Sequence, residues 1–294
     1  MTDIILKEGL PEEPSTLGRV GRYVLLRRLA AGGMGEVFLA KLAGPVGFQK
    51  LVVLKRMLAQ VEADSDYNRM FLAEAQITAQ LNHSNIAQTY ELGETDDGGY
   101  YIVMEYIRGK SLLDLLKRAY HAKEPIPYRL AVGIIAESCA GLGYAHGARG
   151  HDGAELNIVH RDVSPSNLLV SYAGEVKVID FGIAIADSVE RGTIGGQIKG
   201  KLSYMSPEQC RGDALDQRSD VFSLGVCLYE ALTLRNPFKR DTLPSTMRAI
   251  LEDPIPPALD DSHPLAPVLG PVLKRVLEKD REARISSCAE LRET

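Results

Sequence analysis

Residues 160–167 read His-Arg-Asp-Val-Ser-Pro-Ser-Asn, and residues 177–182 read Lys-Val-Ile-Asp-Phe-Gly. Asp162 stands five residues before Asn167, so it can face a substrate hydroxyl while Asn167 points to a metal ion. Asp180 offers a second oxygen ligand for that ion. Mg²⁺ needs few protein carboxylates where phosphate oxygens and water complete its coordination. The two stretches therefore predict a site for Mg²⁺ and phosphate, and their combined spacing is very improbable by chance.

Upstream of these stretches, a glycine-rich turn joins two strand-like runs. Residues 29–37 read Leu-Ala-Ala-Gly-Gly-Met-Gly-Glu-Val. Glycine lacks a Cβ atom, so its backbone can approach a phosphate and point N–H groups at it. The turn is not a P-loop, because no Gly-Lys-Ser/Thr follows it. Taken alone, the turn is equally compatible with an ordinary hairpin.

A lysine stands inside the next apolar run, and an acidic residue stands in the helix that follows. Lys55 is compatible with the exposed charge of an edge strand, or with a phosphate-binding cation. Glu74 lies between two alanines, midway along a helix predicted over 66–81. It is compatible with a solvated helix face, or with an ion pair that holds the Lys55 ammonium beside the glycine turn. The sequence leaves both interpretations of Lys55 and both interpretations of Glu74 open.

Strand-like runs dominate the first hundred residues, and helical patterns dominate the rest. The strand candidates are 23–29, 36–40, 50–56, 86–93 and 100–106. The later helices begin after Ser111, a plausible N-cap with Asp114 at the capping-box position, and continue over 128–147, 221–234 and 268–279. Sheet first and helices later predicts an α+β chain in two lobes. Residues 1–20 read as a flexible leader, and the boundary between lobes falls at 105–109.

The composition excludes several classes of protein. The 294 residues are 45% hydrophobic and 25% charged, the balance of a soluble globular protein. The net charge of −5 lacks the basic field of a dedicated nucleic-acid binder. No apolar run approaches the roughly 18 residues of a membrane span. The four cysteines are far apart without a CxxC pair, which indicates free thiols in a reducing compartment.

These motifs, in this order, resemble the eukaryotic-like protein kinases of the serine/threonine type found in bacteria, from about Tyr23 to the C-terminus. The resemblance implies the bilobal fold of protein kinases: a small, mostly antiparallel β N-lobe with one key helix over 21–104, a hinge over 105–109 and a larger, mostly α C-lobe over 110–294. It implies ATP with Mg²⁺ or Mn²⁺, and protein substrates with serine or threonine.

The resemblance also implies roles for particular residues. Asp162 is the catalytic aspartate, Asn167 and Asp180 bind the metal, and Lys55, paired with Glu74, holds the α- and β-phosphates. The implied nucleotide-binding residues are Leu29, Gly32, Gly33, Gly35, Val37, Val53, Lys55, Met104, Glu105, Ile107, Leu169 and Asp180. In this set Val37, Val53 and Leu169 enclose adenine, and Met104 is the gatekeeper. The backbone of Glu105 and Ile107 binds the adenine edge.

Elements further along the chain fit the same family. Ser206-Pro207-Glu208 stands where the family has Ala-Pro-Glu, and Arg284 is placed to pair with Glu208. Asp220 resembles the buried aspartate that braces the catalytic loop. By this resemblance the Glu208–Arg284 pair is structural rather than catalytic.

Three residues depart from the family pattern. Ala30 replaces the first glycine of the loop, and a modest effect on nucleotide binding is expected. Ser164 stands where serine/threonine kinases have a lysine that reaches the γ-phosphate. Lys201 stands where the family has a threonine near the catalytic aspartate. We hypothesise that the last two compensate each other, with Lys201 reaching Asp162 or the γ-phosphate as a catalytic residue; the alternative is a solvated lysine.

The sequence supports an active protein serine/threonine kinase, with two alternatives. One is a pseudokinase that acts as a nucleotide-binding signalling scaffold, and the other, which 206–208 and Asp220 disfavour, is a small-molecule phosphotransferase. Arg161 beside the catalytic aspartate predicts phosphorylation of the kinase's own activation loop, with Thr193 first among Ser188, Thr193 and Ser203. Expected partners are protein substrates and a possible homodimer through the N-lobe, without nucleic acid or membrane contact from this segment. The expected location is the cytoplasm, possibly as the cytoplasmic part of a longer chain.

Overall fold

The structure is a computed structural model that describes residues 16–31, 35–57, 65–96, 98–150, 152–181, 198–260 and 262–294. The chain divides into two compact units. The first, here called the N-terminal unit, comprises the residues up to Asn82 together with Ala87–Lys110. The second, the C-terminal unit, comprises His83–Ile86 and Ser111–Thr294.

The N-terminal unit is built on an antiparallel sheet of six strands in the order β1-β2-β3-β4-β6-β5. The strands are β1 (Gly18–Val20), β2 (Tyr23–Ala31), β3 (Gly35–Ala43), β4 (Gln49–Met57), β5 (Thr89–Glu94) and β6 (Tyr100–Glu105). Helix α1 (Ser65–Ala79) follows β4. Two groups of buried side chains form the core, one around Leu54 and Val103 and one where Phe71 and Ala75 of α1 meet Ile102. This matches the predicted sheet with one helix.

Two strand boundaries differ from the sequence prediction. The predicted leader overlaps β1, because Val20 is only 5% exposed and this strand pairs with β2. The strand predicted to start at Ile86 starts instead at Thr89. Ile86 belongs to the C-terminal unit, where it forms a parallel bridge with Val178, so its burial serves a different core.

The C-terminal unit is mainly helical. Its helices are α2 (Leu112–Ala122), α3 (Tyr128–His146), α4 (Ile198–Lys201), α5 (Pro207–Arg211), α6 (Gln217–Thr233), α7 (Leu243–Leu251), α8 (Ala266–Val276) and α9 (Cys288–Glu293). Strand β7 (Gly109–Ser111) spans the boundary between the units, and β8 (Leu168–Ser171) and β9 (Val176–Val178) form a hairpin. The predicted capping box at the start of α2 is present, because the Ser111 hydroxyl accepts the Asp114 N–H and the Asp114 carboxylate accepts the Ser111 N–H.

Helix α6 forms the centre of this unit. Val221, Phe222 and Leu224 are fully buried in it, and α3, α8 and α9 pack against it. Most of its residues are buried, polar Ser219 and Asp220 among them, so the helix is a core element of this unit. The first turn of α6 therefore gives a rigid base on which a loop can be held. None of the helices in the described residues is both long and apolar enough to cross a lipid bilayer.

Candidate active site

The predicted ion pair of the N-terminal unit is present. Lys55 Nζ donates a hydrogen bond to Glu74 Oε1 over 2.7 Å. Lys55 lies on an internal strand, since it pairs with Val37 of β3 on one side and with Ile102 of β6 on the other. Glu74 is 8% exposed on the inner face of α1. An exposed edge charge and a solvated helix face, the two alternatives left open by the sequence, are both excluded.

Several predicted nucleotide-binding residues lie along the same strands. Leu29 is on β2, Val37 on β3 and Val53 on β4, where it faces Met104 of β6. The predicted glycines Gly32 and Gly33 lie outside the described residues.

Gly35 and the residues after β6 complete this set. A Cβ atom on Gly35 would lie 2.5 Å from the carbonyl oxygen of Arg56, so the close pairing of β3 with β4 requires glycine there. Ile107 is buried. The N–H of Glu105 donates to the carbonyl of Gln88 over 2.8 Å, so this backbone donor is already used within the N-terminal unit.

Glu74→Gln is expected to lower kcat/KM for ATP by about 10- to 100-fold, because a charge-assisted bond contributes about 1.5–3 kcal/mol and each 1.4 kcal/mol is tenfold. The amide keeps the shape of the side chain but not the charge that fixes Lys55. Steady-state kinetics with varied ATP measure the effect. The exposed Glu94 provides the matched control, Glu94→Gln. If Glu74→Gln and Glu94→Gln had the same kcat/KM, the ion pair would not be needed to position Lys55 for nucleotide binding.

In the C-terminal unit, the Asp162 carboxylate is held by two donors. Asn167 Nδ2 donates to the carbonyl oxygen of Asp162 and to its Oδ2, both over 2.8 Å. Lys201 Nζ donates to the same Oδ2. The Asp162 N–H donates to Nδ1 of His160 over 3.2 Å. The side chain is 9% exposed, so this carboxylate has a fixed orientation and one restricted face open to a ligand.

The β8–β9 hairpin places Asn167 and Asp180 at the same end. Leu168 pairs with Val178, and the N–H of Ile179 donates to the carbonyl of Asn167 over 3.0 Å. Asp180 has a φ of 53°, a left-handed conformation that is uncommon for a residue other than glycine. Such conformations persist where surrounding contacts fix them, often at functional sites.

The loop over 160–167 is anchored by a buried carboxylate on the first turn of α6. Asp220, 1% exposed, accepts the backbone N–H groups of His160 over 2.8 Å and Arg161 over 2.9 Å. His146, in the last turn of α3, places its Nε2 2.8 Å from the same carboxylate. Burial alone would raise the pKa of Asp220, but the hydrogen bonds and electrostatic interactions with His146 and His160 together hold that pKa below its ordinary value. The backbone before Asp162 is thereby fixed to the core.

Comparison with known proteins identifies this arrangement. Residues 23–294 match the protein kinase domain family. The chain belongs to the protein kinase family. The tyrosine-protein kinase MasK of Myxococcus xanthus is 44% identical over 259 residues, 88% of this chain and 39% of MasK. The serine/threonine-protein kinase PknB of Mycobacterium tuberculosis is 39% identical over 277 residues, 92% of this chain and 42% of PknB.

A solved structure supports the same assignment. The kinase domain of PknI from Mycobacterium tuberculosis matches with a TM-score of 0.67 at 25% identity, over 94% of each chain. The predicted resemblance and fold class, an antiparallel sheet followed by a helical lobe, are therefore confirmed. This kinase spans about two fifths of the length of the two curated relatives, MasK and PknB.

The expected structural ion pair of the kinase is also present. Arg284 donates from both terminal nitrogens to the Glu208 carboxylate, over 2.7 and 3.1 Å, and the Ser219 hydroxyl donates to the same carboxylate over 2.7 Å. Both ionic side chains are buried, with Glu208 3% and Arg284 4% exposed. Burial raises the pKa of Glu208, but the hydrogen bonds and charge of Arg284 more than offset burial and lower that pKa below its ordinary value.

The two departures that are hypothesised to compensate each other have different surroundings. Ser164 is 2% exposed, and its hydroxyl lies 2.9 Å from that of Ser166, so it does not contact Asp162. Lys201 contacts Asp162 and is not simply solvated, which agrees with one of the two contacts hypothesised from the sequence. The predicted adenine-facing Leu169 lies on β8, paired with Lys177.

The predicted phosphorylation sites fall partly outside the described residues. Ser188 and Thr193 lie there, and Ser203 is 3% exposed, which makes it a poor acceptor. Sequence reasoning missed His146, whose only signal was its place in the last turn of a predicted helix. It also missed the partly buried pair of Tyr204 and Glu230, whose side-chain oxygens lie 2.6 Å apart.

Proposed function

We propose that this kinase transfers the γ-phosphoryl group of Mg-ATP to serine or threonine hydroxyls of proteins. The observation that carries the proposal is the Asp162 carboxylate, held by Asn167 and Lys201 on a loop anchored to Asp220. Serine and threonine are favoured over tyrosine because PknB and the Bacillus subtilis relative PrkC, 36% identical over 238 residues, carry the name serine/threonine-protein kinase. The name of MasK makes tyrosine the second candidate acceptor.

The geometry of Asp162 suits a residue that receives a proton. Its Oδ2 accepts the amide of Asn167 and the ammonium of Lys201, whereas no described group donates to its Oδ1. Oδ1 can therefore accept the hydrogen bond of a substrate hydroxyl and take its proton as the new O–P bond forms and the bond between the γ-phosphorus and the bridging oxygen of ADP breaks. Transfer in line needs little covalent help from the protein, so positioning of the hydroxyl and neutralisation of charge make up most of the catalysis.

The residues at the end of the β8–β9 hairpin fit Mg²⁺. Asn167 uses its Nδ2 on Asp162, which turns its Oδ1 away from that carboxylate. With the carboxylate of Asp180, this gives two hard oxygen donors, and no cluster of three or more His, Cys, Asp or Glu suited to a metal occurs among the described residues. Mg²⁺ is commonly held by one or two carboxylates plus phosphate oxygens and water. When bound, it would neutralise phosphate charge.

Lys55, which belongs to the N-terminal unit, is the second proposed source of positive charge for the phosphates. Its ammonium is 22% exposed and fixed by Glu74, so it is oriented rather than flexible. A fixed ammonium can bind the α- and β-phosphates without first losing side-chain entropy. Lys55, Asp162, Asn167 and Asp180 are all present, which favours an active kinase over a pseudokinase scaffold.

Two further parts of the proposal concern the setting of the kinase. The four cysteines are free thiols, which suits a reducing compartment. Because the kinase also needs ATP, the proposed location is the cytoplasm. Self-association through the N-terminal unit stays a prediction.

Incubation with Mg-[γ-³²P]ATP and a basic protein substrate tests the function. We expect labelled phosphoserine and phosphothreonine after acid hydrolysis, and no label when excess EDTA removes Mg²⁺. The Asp162→Asn variant, purified in parallel, shows that the transfer belongs to this chain. Label confined to phosphotyrosine would replace the proposed acceptor class, and nucleotide binding without any transfer would indicate the pseudokinase. Mass spectrometry of the kinase itself would report whether Thr193 is modified.

A further inference from the structure

We propose that Lys201 both orients the catalytic carboxylate and supplies the positive charge that the transferring phosphoryl group requires, a charge that the neutral Ser164 of the catalytic loop does not supply. The inference rests on the proposed phosphoryl transfer and adds to it a residue outside that loop. Lys201 is the last residue of α4 and lies 39 residues after Asp162 along the chain. It contacts Asp162 directly.

The backbone that carries Lys201 is held by the core. After α4 the chain makes a 3₁₀ turn over Leu202–Tyr204, in which Leu202 is buried. The Ser223 hydroxyl of α6 donates to the carbonyl of Tyr204 over 2.7 Å, and the Tyr204 hydroxyl donates to Glu230 over 2.6 Å. The lysine stem thus starts from a fixed point. Its side chain is 38% exposed, so the ammonium is accessible to a ligand while it contacts Asp162.

The charges around Asp162 leave a place for such a cation. Phosphate oxygens approaching the carboxylate bring negative charge towards a negative group, and a preorganised cation between them offsets the repulsion. Residues 160–167 contain one arginine, Arg161. Its backbone N–H donates to Asp220, and its side-chain Nε is buried without a partner among the described residues. Ser164 is neutral and bonded to Ser166. The ammonium that contacts the carboxylate in the described structure is that of Lys201.

The chemistry of an ammonium allows both contacts at once. The group has three N–H donors and no acceptor. One donor is used on Oδ2 of Asp162, which leaves two for phosphate oxygens. Because Oδ2 is occupied by Lys201 and Asn167, the carboxylate is held with Oδ1 towards the hydroxyl that it deprotonates. The same ammonium thereby positions the base and neutralises charge on the group that is transferred.

The kinetic test removes the charge and then returns it from another position. Lys201→Met is expected to lower kcat by about 10²- to 10³-fold, the usual effect of losing one preorganised donor at a reacting group, with little change in KM for ATP. Lys201→Thr is expected to behave similarly. Adding Ser164→Lys to Lys201→Thr places an ammonium on the catalytic loop and should recover about tenfold or more of the lost kcat. Ser164→Lys alone should not raise kcat.

A measurement on the wild-type kinase tests the phosphate contact without turnover. A short pulse of acetic anhydride, read by mass spectrometry, reports how reactive each lysine amine is. We expect a nonhydrolysable Mg-ATP analogue to protect Lys201 more than Mg-ADP does, because only the former carries a γ-phosphate. Lys274, exposed on α8, should be labelled equally in both and serves as the control, as does Lys274→Met for kinetics and melting temperature.

The outcomes separate the inference from the proposed function. If the wild type transfers phosphate but Lys201→Met retains its kcat within about threefold, or if the two nucleotides protect Lys201 equally, the inference is wrong and the kinase assignment stands. If the wild type transfers no phosphate, the proposed function itself fails. Recovery by Ser164→Lys supports the inference in a way that a purely structural lysine would not, since that change restores charge rather than packing.

Discussion

Asp162→Asn is expected to lower kcat by about 10³- to 10⁴-fold, the upper part of the range for loss of a general base, while KM for ATP stays nearly constant. The amide has the shape of the carboxylate, but its nitrogen cannot accept the hydroxyl proton. Its oxygen can still accept the two donors that now converge on Oδ2, from Asn167 and Lys201, which leaves the amide nitrogen to face the substrate hydroxyl. The measurement is steady-state kinetics with varied ATP and saturating protein substrate.

The predicted split between kcat and KM follows from where the proposed phosphate-binding groups lie. Lys55 and Glu74 belong to the N-terminal unit and do not depend on Asp162. The control is Asp213→Asn, an exposed aspartate after α5, which should match the wild type. If Asp162→Asn kept more than about a tenth of the wild-type kcat, Asp162 would not be the base. If it raised KM strongly without lowering kcat, its role would be binding.

The parts of the fold that the sequence predicted are those that local pattern determines. The apolar run before Lys55 predicted β4, and the Ser111–Asp114 capping box predicted the start of α2, because both depend on neighbours along the chain. The boundary at Ile86 could not be predicted in this way. Ile86 is apolar and precedes a strand, but its partner Val178 is far away along the chain and lies, like Ile86 itself, in the C-terminal unit rather than in the unit of that strand.

The same division applies to the candidate site. Motif spacing selected Asp162, Asn167 and Asp180, and the hairpin register explains why the last two lie at one end. The anchor formed by His146 could not be read from spacing, because it depends on how α3 packs against α6. The contact of Lys201 with Asp162 was anticipated only as one of two possible contacts, since a lysine side chain reaches many positions until its backbone is fixed.

Arg284→Met is expected to lower the free energy of unfolding by about 3–5 kcal/mol, the usual cost of removing one partner of a buried ion pair. Methionine fills part of the volume but leaves the Glu208 carboxylate buried with only the Ser219 hydroxyl as a side-chain donor. Urea denaturation at pH 7.5 measures the change. The matched control is Arg275→Met, which breaks a surface pair with Glu290 and should cost less than about 1 kcal/mol.

The pH dependence distinguishes an unpaired buried charge from a simple loss of packing. In the wild type, Arg284 lowers the pKa of Glu208, so the stability that the pair contributes is present above the unfolded pKa of a glutamate and is lost as pH falls through the lower folded pKa. Without Arg284, burial raises the pKa of Glu208 above the unfolded value, and the variant gains stability as pH falls and the carboxyl takes up a proton. The difference between wild type and Arg284→Met should therefore shrink between pH 7.5 and pH 5. A difference that stays constant over this interval would mean that the arginine acts through packing rather than charge.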